Sequence, residues 1–254
     1  MKRKGLASRK GMIATCALLM ALQPTWTLAQ DQKKENWQPN KREQEVLSSQ
    51  AFLANHPDMM NRMRAMEEIE RGDEVRAASY FRRAAHYADK QSQAAYAEML
   101  WEGRGVPQDR AAAYAWMDLA AERGYSLFLA FRERYWNELG EADRARAIEV
   151  GQEIYAQYGD DVAKPRLENI IRRASRNITG SRTGSVGFLK IVIPGPGGGI
   201  TIDGKDFYDK RFWEPKRYWR WQAEVLEGVT EGRVIVGDLK TLPKDPPPEK
   251  EKKD

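Results

Sequence analysis

The chain has 254 residues, enough for one or two domains, with 42 Lys and Arg against 37 Asp and Glu and a net charge of +5. Five of the basic residues and none of the acidic ones lie in the first 29, so residues 30–254 balance at 37 against 37 and give no electrostatic case for nucleic acid. One cysteine (Cys16) and two histidines (His56 and His86) exclude a disulfide framework and leave no His/Cys set for zinc.

The first segment opens with the basic "MKRKGLASRKG" and continues as the apolar "MIATCALLMAL". That apolar run is too short to span a bilayer comfortably. Thr27 and Ala29 then occupy the small positions of a signal-peptidase site. The three features together read as a secretory signal peptide over 1–29, cut between Ala29 and Gln30. The other readings are an uncleaved anchor helix and a lipid-modified Cys16, although Thr15 is a poor residue before a lipid-carrying cysteine. No later apolar run is long enough to cross a membrane, so the expectation is a soluble, exported, periplasmic protein with no membrane span after signal removal.

Residues 30–55 are polar and charged and read as a flexible lead-in, helical near its end. From 56 to 176 the text is rich in Ala, Arg, Glu and Met and poor in Val and Ile, which predicts helices. Pro57 and Pro165 sit where a first-turn proline is tolerated, and Gly72, Gly124 and Gly159 sit where helices stop. The pattern changes at 177. "NITGSRTGS" reads as a linker, "VGFLKIVI", "ITID" and "GRVIVGDL" as strands, and "EPKRYWRWQAEVLEG" as a helix begun by Pro215 and ended by Gly228. The expected organisation is thus a helical region at 56–176, a small α+β module at 177–243 and a disordered Pro/Lys/Glu tail at 244–254.

A repeat of 36 residues runs through the helical part. At that shift Asp73 falls on Asp109, Ala77 on Ala113, Tyr80 on Trp116, Ala84 and Ala85 on Ala120 and Ala121, and Ala88 on Gly124. The aspartate precedes a helical run, where its carboxylate can accept from free backbone N–H groups. Ala113, Trp116, Ala120 and Ala121 share one helix face, three small residues allowing close approach and one aromatic filling the gap beside them. Gly103 and Gly105 permit a tight reversal, Val106 packs into it, and Gly124 can end the helix in the left-handed region. The unit is an antiparallel helix pair too small to bury its own core, so it must stack on neighbours.

"GRGVPQDRAAAYAWMDLAAERG" resembles the second half of a Sel1-like repeat, a relative of the tetratricopeptide repeat. The residues that carry the likeness are Gly103, Gly105, Val106, Asp109, Ala113, Trp116, Ala120, Ala121 and Gly124. The best repeat covers 92–124; the unit at 56–88 keeps the aspartate, the aromatic and the alanine pair but lacks the glycine-valine turn. A third unit near 125–159 has helical text without the motif and reads as a closing helix pair. The resemblance implies a short α-solenoid that binds a protein partner as a non-catalytic scaffold, and it says nothing of 177–254.

The search for chemistry finds little. His86 falls on Glu122 in the repeat register and reads as a surface residue, while His56 precedes Pro57 and reads as a helix cap. No nucleophile elbow, histidine pair or metal set stands in the chain, so catalytic residues, cofactors and metals are expected to be none. "PGPGGG" lacks the Lys-Ser/Thr of a phosphate loop and reads as a strand connection. Glu67–Glu68 and Asp160–Asp161 are sequence neighbours and read as solvated surface. The most unusual text is "DFYDKRFWEPKRYWRWQ", where Trp213, Tyr218, Trp219 and Trp221, with Arg217 and Arg220, read either as module core or as a surface for a peptidoglycan strand, another glycan or a peptide. The alternative function is therefore a glycan- or peptide-binding envelope protein, with an envelope hydrolase third.

Overall fold

A computed structural model describes residues 39–176, 189–193 and 199–230. The helices run α1 (Lys41–Leu47), α2 (Gln50–Leu53), α3 (Pro57–Glu70), α4 (Glu74–Ala85), α5 (Lys90–Glu102), α6 (Arg110–Ala120), α7 (Ser126–Glu138), α8 (Glu141–Tyr158) and α9 (Asp160–Arg176). Then come β1 (Lys190–Ile193), β2 (Ile200–Asp203), α10 (Gly204–Phe207), α11 (Lys210–Trp213) and α12 (Pro215–Thr230). The chain is mainly helical, with a solenoid of stacked helices and a two-stranded sheet after it.

The helix starts follow from short-range chemistry. Asp73 Oδ1 accepts from the Arg76 backbone N–H at 3.0 Å, Asp89 from Ser92 at 2.8 Å and Asp109 from Ala112 at 2.9 Å. Each such cap contributes about 1 kcal/mol. Pro57 stands at the first position of α3, where its missing N–H costs nothing.

The turn between α5 and α6 has a stricter cause. A Cβ on Gly105 would lie 2.3 Å from both the carbonyl carbon and the oxygen of Glu74, the first residue of α4. The second repeat therefore presses its turn onto the backbone of the first, and only glycine fits. Gly124 differs: its φ is +78°, yet a Cβ there would meet nothing within 4 Å. The requirement at Gly124 is conformational alone. Ala88, its counterpart one repeat earlier, adopts the same left-handed region with φ +63°, at a cost of about 1 kcal/mol.

The solenoid core is small-residue packing punctuated by rings. Ala113, Trp116, Ala120 and Ala121 are all buried, as their shared face requires. The Trp116 ring stands edge-on to Tyr96 of α5 at 4.9 Å and tilted to Tyr158 of α8 at 4.6 Å. Trp101 stacks on Tyr135 of α7 at 4.0 Å with the planes 7° apart, and burial pushes the Tyr135 phenol up to about 12. Both α7 and α8 pack chiefly on α6.

A second core departs from the sequence reading. It joins Val46, Phe52 and Leu53 of α1 and α2, Leu167 and Ile171 of α9, and Ile202, Phe207, Phe212, Trp213, Tyr218 and Trp221 of the C-terminal elements. Among the described residues, the buried aromatics at 207–221 pack in this shared core with α9, and Val46, Phe52 and Leu53 form one wall of it. The physical reason lies in the sheet: β1 and β2 pair antiparallel (Ile191 opposite Ile202, Ile193 opposite Ile200), and two short strands cannot cover seven aromatics. The expected third strand at 232–239 and the linker at 177–185 lie outside the described residues, as do the signal segment and the 244–254 tail.

Two helix boundaries are also corrected. Pro165 lies inside α9, which begins five residues earlier at Asp160. That start is favoured because the Asp160 N–H donates to the Glu122 carboxylate at 3.1 Å and two aspartates sit at the positive end of the helix. Gly228 does not end α12, which continues to Thr230. The amphipathic face of α12, with Tyr218, Trp221 and Leu226 buried, outweighs the roughly 1 kcal/mol cost of one interior glycine.

Two alanine substitutions separate these causes. Gly124→Ala should lower stability by about 1 kcal/mol, whereas Gly105→Ala should cost about 3 kcal/mol or more because backbone must move. Thermal unfolding of the two variants checks this, and equal losses would show that the Gly105 contact is not a constraint.

Candidate functional site

A groove of about 470 Å³ is bounded by α4, the α5–α6 turn and the end of α8. Arg82, Arg83 and His86 form one wall, Val106 the turn side, and Tyr96 and Tyr158 the floor. It runs on into a second hollow of about 250 Å³ that shares Arg82, Tyr96 and Tyr158 and reaches Trp116. The floor is held from beneath, because Trp116 packs against both tyrosines. The Arg82 guanidinium donates to the Tyr158 hydroxyl at 3.2 Å. Burial first, and then the neighbouring Arg166, hold the exposed His86 imidazole below its usual range.

Two buried polar networks fix the elements around this groove. In one, Lys90, 3% exposed, donates to the Leu119 carbonyl at 2.9 Å and to the Glu122 carboxylate at 2.6 Å, and lies 3.2 Å from Asp160. Arg123 grips Asp160 through Nε at 2.8 Å and Nη2 at 2.9 Å. Burial opposes ionisation of Asp160, but Arg123, Lys90 and Lys164 together overcome it and hold its carboxyl well below the carboxylate range. In the other, the His56 ring lies between the Phe52 carbonyl (Nδ1, 3.0 Å) and the Phe212 carbonyl (Nε2, 2.9 Å). Burial lowers its pKa against the pull of Asp58. Asp58 Oδ2 accepts from the Tyr218 hydroxyl at 2.5 Å and from Gln222 at 2.9 Å, and burial pushes its carboxyl up. This network ties α3 to α12.

The sequence-selected residues fall in three groups. Asp73, Ala77, Ala84, Ala85, Gly103, Gly105, Asp109, Ala113, Trp116, Ala120, Ala121 and Gly124 are caps, turns and packing positions, while Tyr80 is half-buried under Arg83, 5.3 Å from its ring. Asp109 does more: Arg146 of α8 grips it with two hydrogen bonds of 2.7 and 2.6 Å. His56 and the acidic pairs need correction. His56 is fully buried and makes no side-chain cap, because its ring turns into the second core. Glu68 and Asp160 are not solvated surface: Glu68 is 6% exposed and accepts from Arg71 at 2.9 Å, and Asp160 is the gripped carboxylate above.

The aromatic platform does not form. Trp213, Tyr218 and Trp221 are buried in the shared core. Trp219 is half-buried, its indole donating to Glu168 at 2.9 Å, with Arg123 4.9 Å and Lys164 5.6 Å from its ring. Arg220 and Arg217 are exposed, and Arg217 pairs with Glu214 at 2.6 Å.

Sequence reasoning missed Lys90, Arg82, Arg83 and Tyr158. Arg123 to Asp160, Asp109 to Arg146 and Asp118 to Tyr155 each join residues 37 apart, one more than the repeat, but none of the four missed residues takes part in these pairs, and Arg82 meets Tyr158 at a separation of 76, so the repeat spacing did not point to them. Among the described residues no group of three or more His, Cys, Asp and Glu is placed to hold a metal, and no helix is long and apolar enough to cross a membrane.

The opposed shifts of Asp160 and Asp58 give a signed test. A lowered carboxyl contributes stability above the ordinary carboxylate pKa of about 4 that fades as pH falls. A raised one contributes stability below that pH that is lost as pH rises. Asp160→Asn should cost about 3 kcal/mol at pH 7, with the gap to the parent narrowing from pH 5 towards pH 2. The Asp58→Asn gap should move in the opposite sense. Thermal melts across that range decide it.

The comparisons with known proteins follow this geometry. The Sel1 repeat family matches residues 48–86 and 90–125. No curated protein sequence matches the chain. A solved structure, a protective antigen present in uropathogenic Escherichia coli strains and displaying an SLR fold, is similar at 22% identity over 52% of this chain and 28% of that one, with a TM-score of 0.39. Sel1 repeats are typically protein-interaction scaffolds. The two matched segments hold their capping aspartates, Asp73 and Asp109, in register, the second also holds the glycine-valine turn, and at 48–86 and 90–125 the chain is similar to Sel1 repeats.

Proposed function

We propose that the protein is a non-catalytic scaffold of the bacterial envelope that holds a partner protein in the groove of its repeats. The observation that carries this reading is the groove itself. Its walls are side chains of α4, α5 and α8 that the packing does not consume, on a floor fixed by Trp116. Val75, 68% exposed beside it, adds an apolar contact at the rim. The repeat motif supports a binding role, since its matched residues are caps, turns and close-packing alanines with no nucleophile among them. The basic start, apolar run and Thr27–Ala29 site support export. The glycan-binding alternative has less to rest on, because Trp213, Tyr218 and Trp221 are buried in the shared core and Trp219, Arg217 and Arg220 remain outside it.

A photo-crosslinking residue at Val75 of the full chain should trap a discrete protein in an envelope fraction. The same residue at Met66, also exposed but on α3, should not. Identical products from both positions would remove the groove from the binding site. N-terminal sequencing of the exported chain should begin at Gln30, and a start at Met1 would refute signal cleavage.

A further inference from the structure

The arginines of this protein divide into two kinds. Most are paired: Arg62 with Asp89 at 2.6 Å, Arg123 with Asp160 at 2.8 Å, Arg146 with Asp109 at 2.6 Å and Arg104 with Glu102 at 2.5 Å. Two that line the groove, Arg82 and Arg83, and Arg166 beside it at His86 are not. Among the described residues, no carboxylate pairs with Arg82, Arg83 or Arg166. Arg82 is spent on the Tyr158 hydroxyl and Arg83 lies over the Tyr80 ring. Arg166 donates to the carbonyls of His86 at 3.2 Å and Gln157 at 2.6 Å. The groove thus gathers two guanidiniums without a carboxylate partner, Arg82 and Arg83, with Arg166 beside it at His86, and the carboxylate among its lining residues is Glu153, at the far end of the second hollow.

Guanidiniums present forked donors matched to carboxylates. A concave site with low-dielectric walls focuses their field. The apolar part of the lining, Val75, Val106 and the tyrosine edges, calls for a ligand that also carries apolar side chains. Resting on the scaffold reading above, we propose that the groove takes an acidic segment of a partner protein, its carboxylates on Arg82 and Arg83 and an apolar side chain between Val75 and Val106. A nucleic acid would need a longer basic track than two arginines closed off by Glu153. A lipid surface would need a flat or convex face.

The test uses the full chain and a labelled peptide about a dozen residues long built from Glu and Leu, with its Gln/Leu counterpart, followed by fluorescence anisotropy. The Glu/Leu peptide should bind at least about tenfold more tightly than the amide version and weaken as salt rises. The double reversal R82E/R83E should lose at least about tenfold in affinity. K205E/K210E makes the same charge change on α10 and α11 and should bind as the parent does. Circular dichroism confirms that both variants keep their helices, and Arg82→Gln/Arg83→Gln repeats the test if the reversal unfolds the chain. Equal binding of the amide peptide, undiminished binding by the arginine variants, or groove-dependent binding to phosphatidylglycerol vesicles without peptide binding would each overturn the proposal. If the protein trapped from Val75 is still trapped by R82E/R83E, the scaffold reading stands and the acidic occupant falls.

Discussion

Everything in this fold depends on α6 being made of small residues. Ala111, Ala113, Ala115 and Ala120 are buried, and α5, α7 and α8 all lie against that helix. A Cβ on Gly151 of α8 would sit in ordinary contact with the Ala115 methyl at 3.8 Å, so the two helices face each other there through small residues. A helix so surrounded cannot carry leucines on every side. What it gives up in apolar area per residue it regains in proximity, and the proximity places Trp116 between Tyr96 and Tyr158. The groove floor is a consequence of that spacing.

This dependence explains why some of the architecture could be read from the residues. Caps, turns and small-residue faces are local, and they recur at 36 residues, so Asp109, Gly103, Trp116 and Gly124 announce themselves. The shared second core has no local signature. Phe52 and Leu53 sit in a polar stretch, and nothing near them shows that Trp213 and Tyr218 lie against them. The seven aromatics at 207–221 were legible as a cluster, but their destination depended on whether the sheet could cover them. Polar locks such as Lys90 with Glu122 were invisible for a related reason, since a charge is informative only once its neighbours in space are known.

The two ends of the solenoid are closed by different physics. Between repeats, contact is apolar and close, with charges such as Asp109 and Arg146 bridging the edges. At the junction with α12, contact passes through a buried histidine, a buried carboxylate and a buried phenol. Such a network is unforgiving of misalignment, because each unmet polar group costs what its desolvation costs. It therefore fixes the register of α12 on α3 more sharply than ring packing alone would. Asp58 Oδ1, which no donor reaches among the described residues, marks where that fit is least complete.

The shared core has a consequence for the order in which the molecule can be made. Val46 and Phe52 find their packing partners in residues 202–221, some 150 positions later in the chain. During synthesis at about 5–20 residues per second, the repeats can fold on themselves before residues 202–221 emerge. Val46, Phe52 and Leu53 lack those partners until then. Residues 202–221 thus complete a core that residues 46–53 begin, and a ribosome that stalls before α12 leaves an open seam rather than a shorter protein.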